Sequence, residues 1–309
     1  MGEIVMGELA PEKNIGFKKW WVMLRPHTLS ASIVPVALGT ALVLPIRNPD
    51  LSLFLAMMAA SMLIQIATNL FNEYFDFKRG LDNAQSVGIG GSIVRDGFHP
   101  KTILRLAFIL CLVAMLIGVF ICANSSWWIA LAGSICILTG YLYSGGPFPI
   151  AYTPFGELVS GLFMGVFIIW ISFFIQTGTL TLNCILISIP IGILVGGINM
   201  ANNIRDLSGD KEKGRRTLPI LLGRPRAITV LAGLFTFSYI WIIGLMILSV
   251  ESAWLLIVFA SLPKAIQATK LFRRKTKAIQ MMPAMKATAQ MQTLFGILLS
   301  LGIVLDYFI

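Results

Sequence analysis

Two stretches of the chain gather the residue types that hold a hard cation. The first, Asn69 to Asp82, carries Asn72, Glu73 and Asp76, whose i, i+3 and i+4 spacings put all three on one face of a helix. The second, Asn199 to Asp210, carries Asn202, Asp206 and Asp210 as an i, i+4, i+8 stripe. Carboxylates crowded this closely repel one another, so either a cation balances them or they take up protons. Neither stripe contains a cysteine or histidine. An all-oxygen donor set selects a hard ion, and Mg2+ in particular pairs one or two carboxylates with substrate phosphates. Two such stripes facing each other predict a metal-bridged diphosphate.

Cations surround both stripes: Arg25, Lys78, Arg79, Arg205, Lys211, Lys213, Arg215 and Arg216. Such side chains grip phosphate oxygens or a substrate carboxylate, arginine in a bidentate fork. The competing reading is that most of them only set membrane orientation. Arg25, Lys78 and Lys213 are set apart because each lies within a turn or two of an acidic stripe or a helix start.

The elements that position these residues are membrane helices. Hydrophobic residues make up 57% of the 309 and charged residues 12%, against about a quarter charged in soluble domains; mean hydropathy is +0.83. Apolar periods and breaks place helices near 28–46, 53–75, 102–122, 126–143, 156–176, 182–203, 226–248, 252–271 and 289–306. The expected fold is all-α, one polytopic bundle of about nine transmembrane helices around a central cavity, forming a single domain over 1–309. Residues 1–19, which hold Glu3, Glu8 and Glu12, have no apolar run followed by a small-residue cleavage site, so they read as a cytoplasmic segment and not a secretory signal. Met6 stands where a myristoylation pattern needs Ser or Thr.

Basic residues collect in alternate gaps: before the first helix, after the second from Lys78 to Arg105, after the sixth from Arg205 to Arg226, and at or after the end of the eighth from Lys270 to Lys286. The opposite gaps hold little beyond Arg47. Short basic loops face the cytoplasm, so the N-terminus and both acidic stripes are expected inside and the C-terminus outside. Trp20 and Trp21 then fall in an inner interfacial belt, Trp127 and Trp128 in an outer one. The formal charge of +10 follows from this topology and calls for no nucleic-acid partner. Cys111, Cys122, Cys136 and Cys184 lie in apolar segments without metal or disulfide spacing. They read as small packing residues.

These residues resemble the UbiA superfamily of intramembrane prenyltransferases, with two Asp-rich motifs after helices 2 and 6, and within it the 1,4-dihydroxy-2-naphthoate polyprenyltransferases of menaquinone synthesis. The likeness spans nearly the whole chain: Leu24 to Leu29, Gln65 to Asp82, Tyr143 to Pro149 with Gly156-Glu157, Asn202 to Leu218, and Lys286 to Gly296. The Gly145-Gly146-Pro147 segment and the Gly80-Leu81-Asp82 spacing favour the naphthoate branch over the 4-hydroxybenzoate branch.

The resemblance implies a cavity open to lipid, capped by a polar site for Mg2+ and diphosphate. It implies metal and diphosphate roles for Asn72, Asp76, Asp206 and Asp210, and extends them to Glu73, Asp82 and Asn202. Arg25, Lys78, Arg79 and Lys213 are the expected ligands of diphosphate or acceptor carboxylate. Glu73 stands where many members have Asp, and its longer arm moves the oxygens. By resemblance, a polyprenyl diphosphate and 1,4-dihydroxy-2-naphthoate give demethylmenaquinone, carbon dioxide and pyrophosphate. Tyr143, at the inner end of the fourth helix, is placed to face an allylic cation or the acceptor, or else to sit in an interfacial belt. Glu157 either caps the fifth helix or orients an acceptor. His27 and His99 read as polar surface residues and not general bases.

Two other readings fit part of the pattern. A transporter accounts for intramembrane acids and for helices broken at Pro190, Gly192, Gly196, Gly197 and Pro263, but its acids belong near the midplane and not at one face. A prenyltransferase for another aromatic acceptor shares the diphosphate half of the site. A structural scaffold leaves both stripes unexplained.

Overall fold

The computed structural model describes residues 16–82, 91–248 and 251–309. The expectations for residues 1–15 and for the His27 side chain lie outside the described residues. Among the described residues there is no β-strand. Among the described residues seven helices are long and apolar enough to cross a membrane, and two shorter apolar helices accompany them, which together match the nine apolar segments.

The chain opens with α1 (Phe17–Met23) and α2 (Ser30–Ala41), then α3 (Leu51–Lys78), the short α4 (Ser92–Asp96), α5 (Pro100–Asn124) and α6 (Trp128–Ser144). The fifth apolar segment, Gly156–Thr177, runs as α7 (Gly156–Ser160), a π-helical stretch Gly161–Phe167 and α8 (Ile168–Thr177). Then follow α9 (Leu182–Glu212), α10 (Leu218–Leu222) and α11 (Arg224–Ile247). A 3-10 stretch, Ala253–Ser261, leads into α12 (Leu262–Arg273), and α13 (Met282–Phe308) completes the fold. The apolar pattern ends the sixth helix at 203, whereas α9 continues to Glu212. It starts the ninth at 289, whereas α13 begins at Met282.

Local chemistry explains where the two site-bearing helices begin. The Asp50 carboxylate accepts from the N–H groups of Ser52 and Leu53 at 2.7 and 3.1 Å, capping α3. Gln176 clamps the Asp50 backbone from α8, accepting from its N–H at 2.8 Å and donating to its carbonyl at 2.9 Å. Thr181 caps α9 by accepting from Cys184 N–H at 3.2 Å.

α9 is the innermost span, with 67% of its apolar window buried against 28% for α5, so its neighbours decide where its acidic end lies. A small-residue seam lets it approach the Gly156–Thr177 span: a Cβ on Gly165 would meet Gly192 Cα at 2.5 Å, and one on Gly196 would meet the Glu157 carbonyl oxygen at 2.7 Å. The π-helical stretch lies along this seam. The main apolar core joins α9 to α11, α12 and α13, and a second core joins the C-terminal half of α3 and the N-terminal half of α5 with Met23, Ile93 and Phe98. Between these masses lies a cavity of about 1890 Å3. All four cysteines are free, and three are buried.

Candidate active site

The acidic ends of α3 and α9 are built alike. Asp76 is followed four residues later by Gly80 at φ 67°, and Asp210 by Gly214 at φ 80°. In each case the aspartate's carbonyl accepts the N–H five residues on, Leu81 at 2.9 Å and Arg215 at 3.0 Å. This is the left-handed glycine closure of a helix end, which only glycine adopts without strain. It turns each chain back across its own last turn and sets Asp82 and Arg215 beside the carboxylates. The coarse similarity of the two stripes is thus a shared local structure.

The two ends then meet. Arg215 donates to Asp76 Oδ1 at 2.8 Å and lies 3.3 Å from Asp210 Oδ1, so one guanidinium bridges the two motifs. Its other face covers the Tyr152 ring at 5.0 Å. Burial opposes the Arg215 charge, but Asp76 and Asp210 outweigh it and raise the pKa further above its ordinary value. Lys213 Nζ donates to the Leu81 carbonyl, tying the second motif to the turn of the first. Arg205 forms a two-bond fork with Asp206, at 2.7 and 2.6 Å, and reaches Met285 Sδ at 3.0 Å.

Arg25 is the one described non-glycine residue with positive φ, at 54°, and it precedes Pro26. That conformation costs about 1–2 kcal/mol and directs its guanidinium to Asn72 Oδ1 at 3.2 Å and Glu73 Oε2 at 3.0 Å. Glu73 is buried, and its oxygens also accept from Gly91 N–H and Ile93 N–H, each at 3.1 Å. Both oxygens are therefore engaged by an arginine and two main-chain amides, an anchor for the start of α4. Asn72 donates to Ser144 Oγ at 3.1 Å.

Asn72, Asp76, Asp82, Asp206, Asn202, Arg25 and Tyr143 all line the cavity, at one end of it. Burial, then the charges of Asp76 and Glu73, push the Asp82 carboxyl up to about 6. Asp210 and Glu73 stand behind this surface, joined to it through Arg215 and Arg25. The remaining expected cations point elsewhere. Arg79 donates to the carbonyls of Ser144 and Gly146 and covers the rings of Phe75 and Tyr152, Lys213 holds Leu81, and Lys78 is exposed.

Sequence reasoning sets Arg25, Lys78 and Lys213 apart and leaves Arg215 among the other five cations; the signal that singles it out is Gly214 after Lys213. It also misses a polar relay behind Tyr143. Asn199 Nδ2 donates to Tyr143 Oη at 2.7 Å, leaving the hydroxyl proton available to the cavity, and Asn203 Nδ2 donates to Glu157 Oε1 at 2.8 Å. Glu157, in the first turn of α7, is thereby tied to α9.

The donor set suits Mg2+. Its oxygens come from carboxylates and amides, and among the described residues no three acidic, histidine or cysteine side chains converge tightly enough to hold an ion alone. Mg2+ completes its shell with water and substrate phosphate. Away from this end the cavity is mostly apolar, lined by residues such as Met57, Ile64, Met115, Val119, Phe163 and Ile297, and it reaches Trp127.

Comparison with known proteins agrees with this architecture. The chain is 56% identical over 302 residues to the 1,4-dihydroxy-2-naphthoate octaprenyltransferase of Bacillus subtilis (strain 168), covering 98% of this chain and 97% of that protein. It is 29% identical to UbiA prenyltransferase domain-containing protein 1 of Danio rerio, covering 97% and 88% respectively. A UbiA homolog from Archaeoglobus fulgidus, solved bound to DMAPP and Mg2+, superposes with a TM-score of 0.64 at 16% identity, covering 91% of this chain and 99% of that one, which speaks to the fold. Residues 32–291 match the UbiA prenyltransferase family, and the chain belongs to that family.

Proposed function

We propose that this protein transfers a polyprenyl group from a polyprenyl diphosphate to 1,4-dihydroxy-2-naphthoate, with loss of carbon dioxide and pyrophosphate, giving demethylmenaquinone. The observation that carries the reading is the cavity itself. One end presents Asn72, Asp76, Asp82 and Asp206 beside Arg25, Arg205 and Arg215, and the rest is mostly apolar and large enough for an isoprenoid tail. The B. subtilis relative bears the name of this activity at 56% identity over almost the full chain, and the A. fulgidus homolog was solved with a prenyl diphosphate and Mg2+.

In this reading Asn72, Asp76, Asp82 and Asp206 are the residues that would hold Mg2+, and the ion would supply positive charge to the departing diphosphate. Arg25, Arg205 and Arg215 add fixed positive charge around it. Their carboxylate and amide partners hold each guanidinium in place before substrate arrives. As the C1–oxygen bond breaks, positive charge develops on the allylic carbon. Tyr143 lines the cavity at that end, where its ring face attracts a cation. The apolar walls exclude water that would otherwise capture it. An electron-rich ring carbon of the acceptor attacks C1, and the carboxylate on that carbon leaves as carbon dioxide, restoring the aromatic ring.

The whole chain acts as one domain, a multi-pass protein of the cell membrane with its N-terminus and both acidic motifs on the cytoplasmic side. The test is purified protein in liposomes, given a polyprenyl diphosphate and 1,4-dihydroxy-2-naphthoate with Mg2+ or with EDTA. Mg2+-dependent appearance of pyrophosphate and prenylated naphthoquinol together is the expected result. Product formed only with another aromatic acid keeps the enzyme class and overturns the acceptor. Folded protein with no turnover on any acceptor brings the transporter reading forward.

A further inference from the structure

The basic side chains lining the cavity divide into two kinds. Arg25, Arg205 and Arg215 are each bound to a carboxylate, of Glu73, Asp206, and Asp76 with Asp210. Lys264 on α12 and Lys286 on α13 line the same cavity, and among the described residues neither takes part in an ion pair. Lys264 has only a long contact, 3.5 Å, to Gln267 on its own helix. Lys264 is half-buried and Lys286 is exposed, so both ammonium groups stay accessible at the cavity wall, and a cation lining a cavity in a membrane bundle is placed to meet an anion there.

Lys286 does not stand alone. Gln290 and Thr293 follow it at i+4 and i+7, so the three form one stripe along α13, and all three line the cavity. Among the described residues, neither Gln290 nor Thr293 shows a side-chain hydrogen bond that would use up its polar atoms within the bundle. The stripe rises about 10 Å, the scale of a two-ring aromatic acid. Its lower end adjoins the second acidic motif, because Arg205, the partner of Asp206, touches Met285 on the neighbouring position of α13.

We propose that Lys286, with Lys264 lining the same cavity from α12 and Gln290 and Thr293 along the stripe, forms the acceptor subsite: the ammonium groups take the aromatic carboxylate, and the amide and hydroxyl take the ring hydroxyls. This rests on the prenyl-transfer reading and adds which cations serve the acceptor. The diphosphate falls to the three arginines already held at the acidic end, and the acceptor carboxylate to the two lysines held by no acid. A carboxylate anchored on the α13 side sets the ring between that helix and the diphosphate end, where the allylic carbon lies.

The test uses the full chain in liposomes, comparing wild type with Lys286→Met and Lys264→Met. Each variant keeps the bulk of the side chain and loses its charge. Steady-state turnover is measured against the naphthoate and against the polyprenyl diphosphate, and equilibrium binding is measured for 2-naphthoate and 2-naphthol, which differ in the carboxylate. For Lys286→Met the expected result is a rise of about 10- to 100-fold in KM for the naphthoate and in Kd for 2-naphthoate. KM for the diphosphate and Kd for 2-naphthol are expected to stay within about twofold, and Lys264→Met should shift the same two quantities less. Equal losses for 2-naphthoate and 2-naphthol, or a rise in KM for the diphosphate instead, overturn the assignment. So does unchanged acceptor affinity in both variants. Wild type that turns over no aromatic acid overturns the functional reading instead, and the binding pair still decides the subsite.

Discussion

At the scale of single residues, the carboxylates separate by what holds them. Asp76 and Asp206 both line the cavity and both carry an arginine. Asp76→Asn and Asp206→Asn are therefore expected to lower kcat by about 100- to 1000-fold, the usual loss when one preorganised charge is removed from a reacting centre, while the protein still elutes as a folded species. Near-normal turnover of both purified variants removes the two carboxylates from the reaction. Asparagine is the informative substitution, because Asp76→Ala takes a hydrogen-bond partner from the largely enclosed Arg215 and confounds activity with stability. Glu73 belongs to a different class. Glu73→Ala strands Arg25 and the amides of Gly91 and Ile93, at an expected cost of about 3–5 kcal/mol, read as a lowered thermal midpoint in detergent; an unchanged midpoint excludes the anchoring role. Asp76 and Asp206 are legible in the sequence because spacing alone puts them on a helical face. The division of labour among the cations is not, since Arg215 and Arg216 are neighbours in sequence and only the turn at Gly214 sends one inward while the other stays exposed.

At the scale of elements, the acidic ends depend on two glycine devices that work differently. A Cβ added at Gly214 would meet nothing within 4 Å, so only the φ of 80° resists substitution there. Gly214→Ala is expected to cost about 1–2 kcal/mol and to lower activity further by displacing Arg215. Gly165, in the π-helical stretch, is not among the positive-φ glycines but has no room, since Gly192 Cα lies 2.5 Å from where its Cβ would be. Gly165→Val is expected to cost about 1–3 kcal/mol by overpacking and to move α9 as a body, so that both acidic motifs lose register. Thermal midpoints together with kcat separate the two, and a Gly165→Val protein with wild-type stability sinks the seam argument. The run of α9 beyond 203 is hidden in the sequence because Asn, Asp, Ser and Gly read there as a helix exit. What keeps Asn203 to Glu212 helical is tertiary: Asn203 bound to Glu157, Arg205 set against Met282 and Met285, and Asp210 held by Arg215. The shorter first helix, Ser30–Ala41, likewise hides its end, as the apolar run continues through a turn to Ile46.

At the scale of the whole molecule, the same asymmetry that gathers the acids also sets orientation. The end bearing Asp76 and Asp206 carries Arg25, Lys78, Arg79, Lys211 and Lys213, with the exposed run Arg273 to Lys277 after α12, whereas the turn between α5 and α6 has exposed Trp127 and Trp128 and no basic residue. Short basic loops stay in the cytoplasm and tryptophans favour the interface, so on the proposed function the diphosphate is expected to enter from the cytoplasmic side, with the prenyl tail along the cavity toward Trp127. Cysteine labelling decides this. In a background with Cys111, Cys122, Cys136 and Cys184 replaced, Asn124→Cys at the exposed end of α5 is expected to react with a membrane-impermeant maleimide in intact cells. Lys275→Cys is expected to react only after the membrane is opened. The reverse pattern inverts the protein and puts both acidic motifs on the side away from any cytoplasmic supply of prenyl diphosphate. Labelling of both positions in intact cells contradicts a single orientation, because α5 and α12 end on opposite faces of the same bundle. The expected pattern ties the charge distribution of the sequence, the convergence of α3 and α9, and the direction of the cavity to one physical cause, the cost of carrying basic loops across a bilayer.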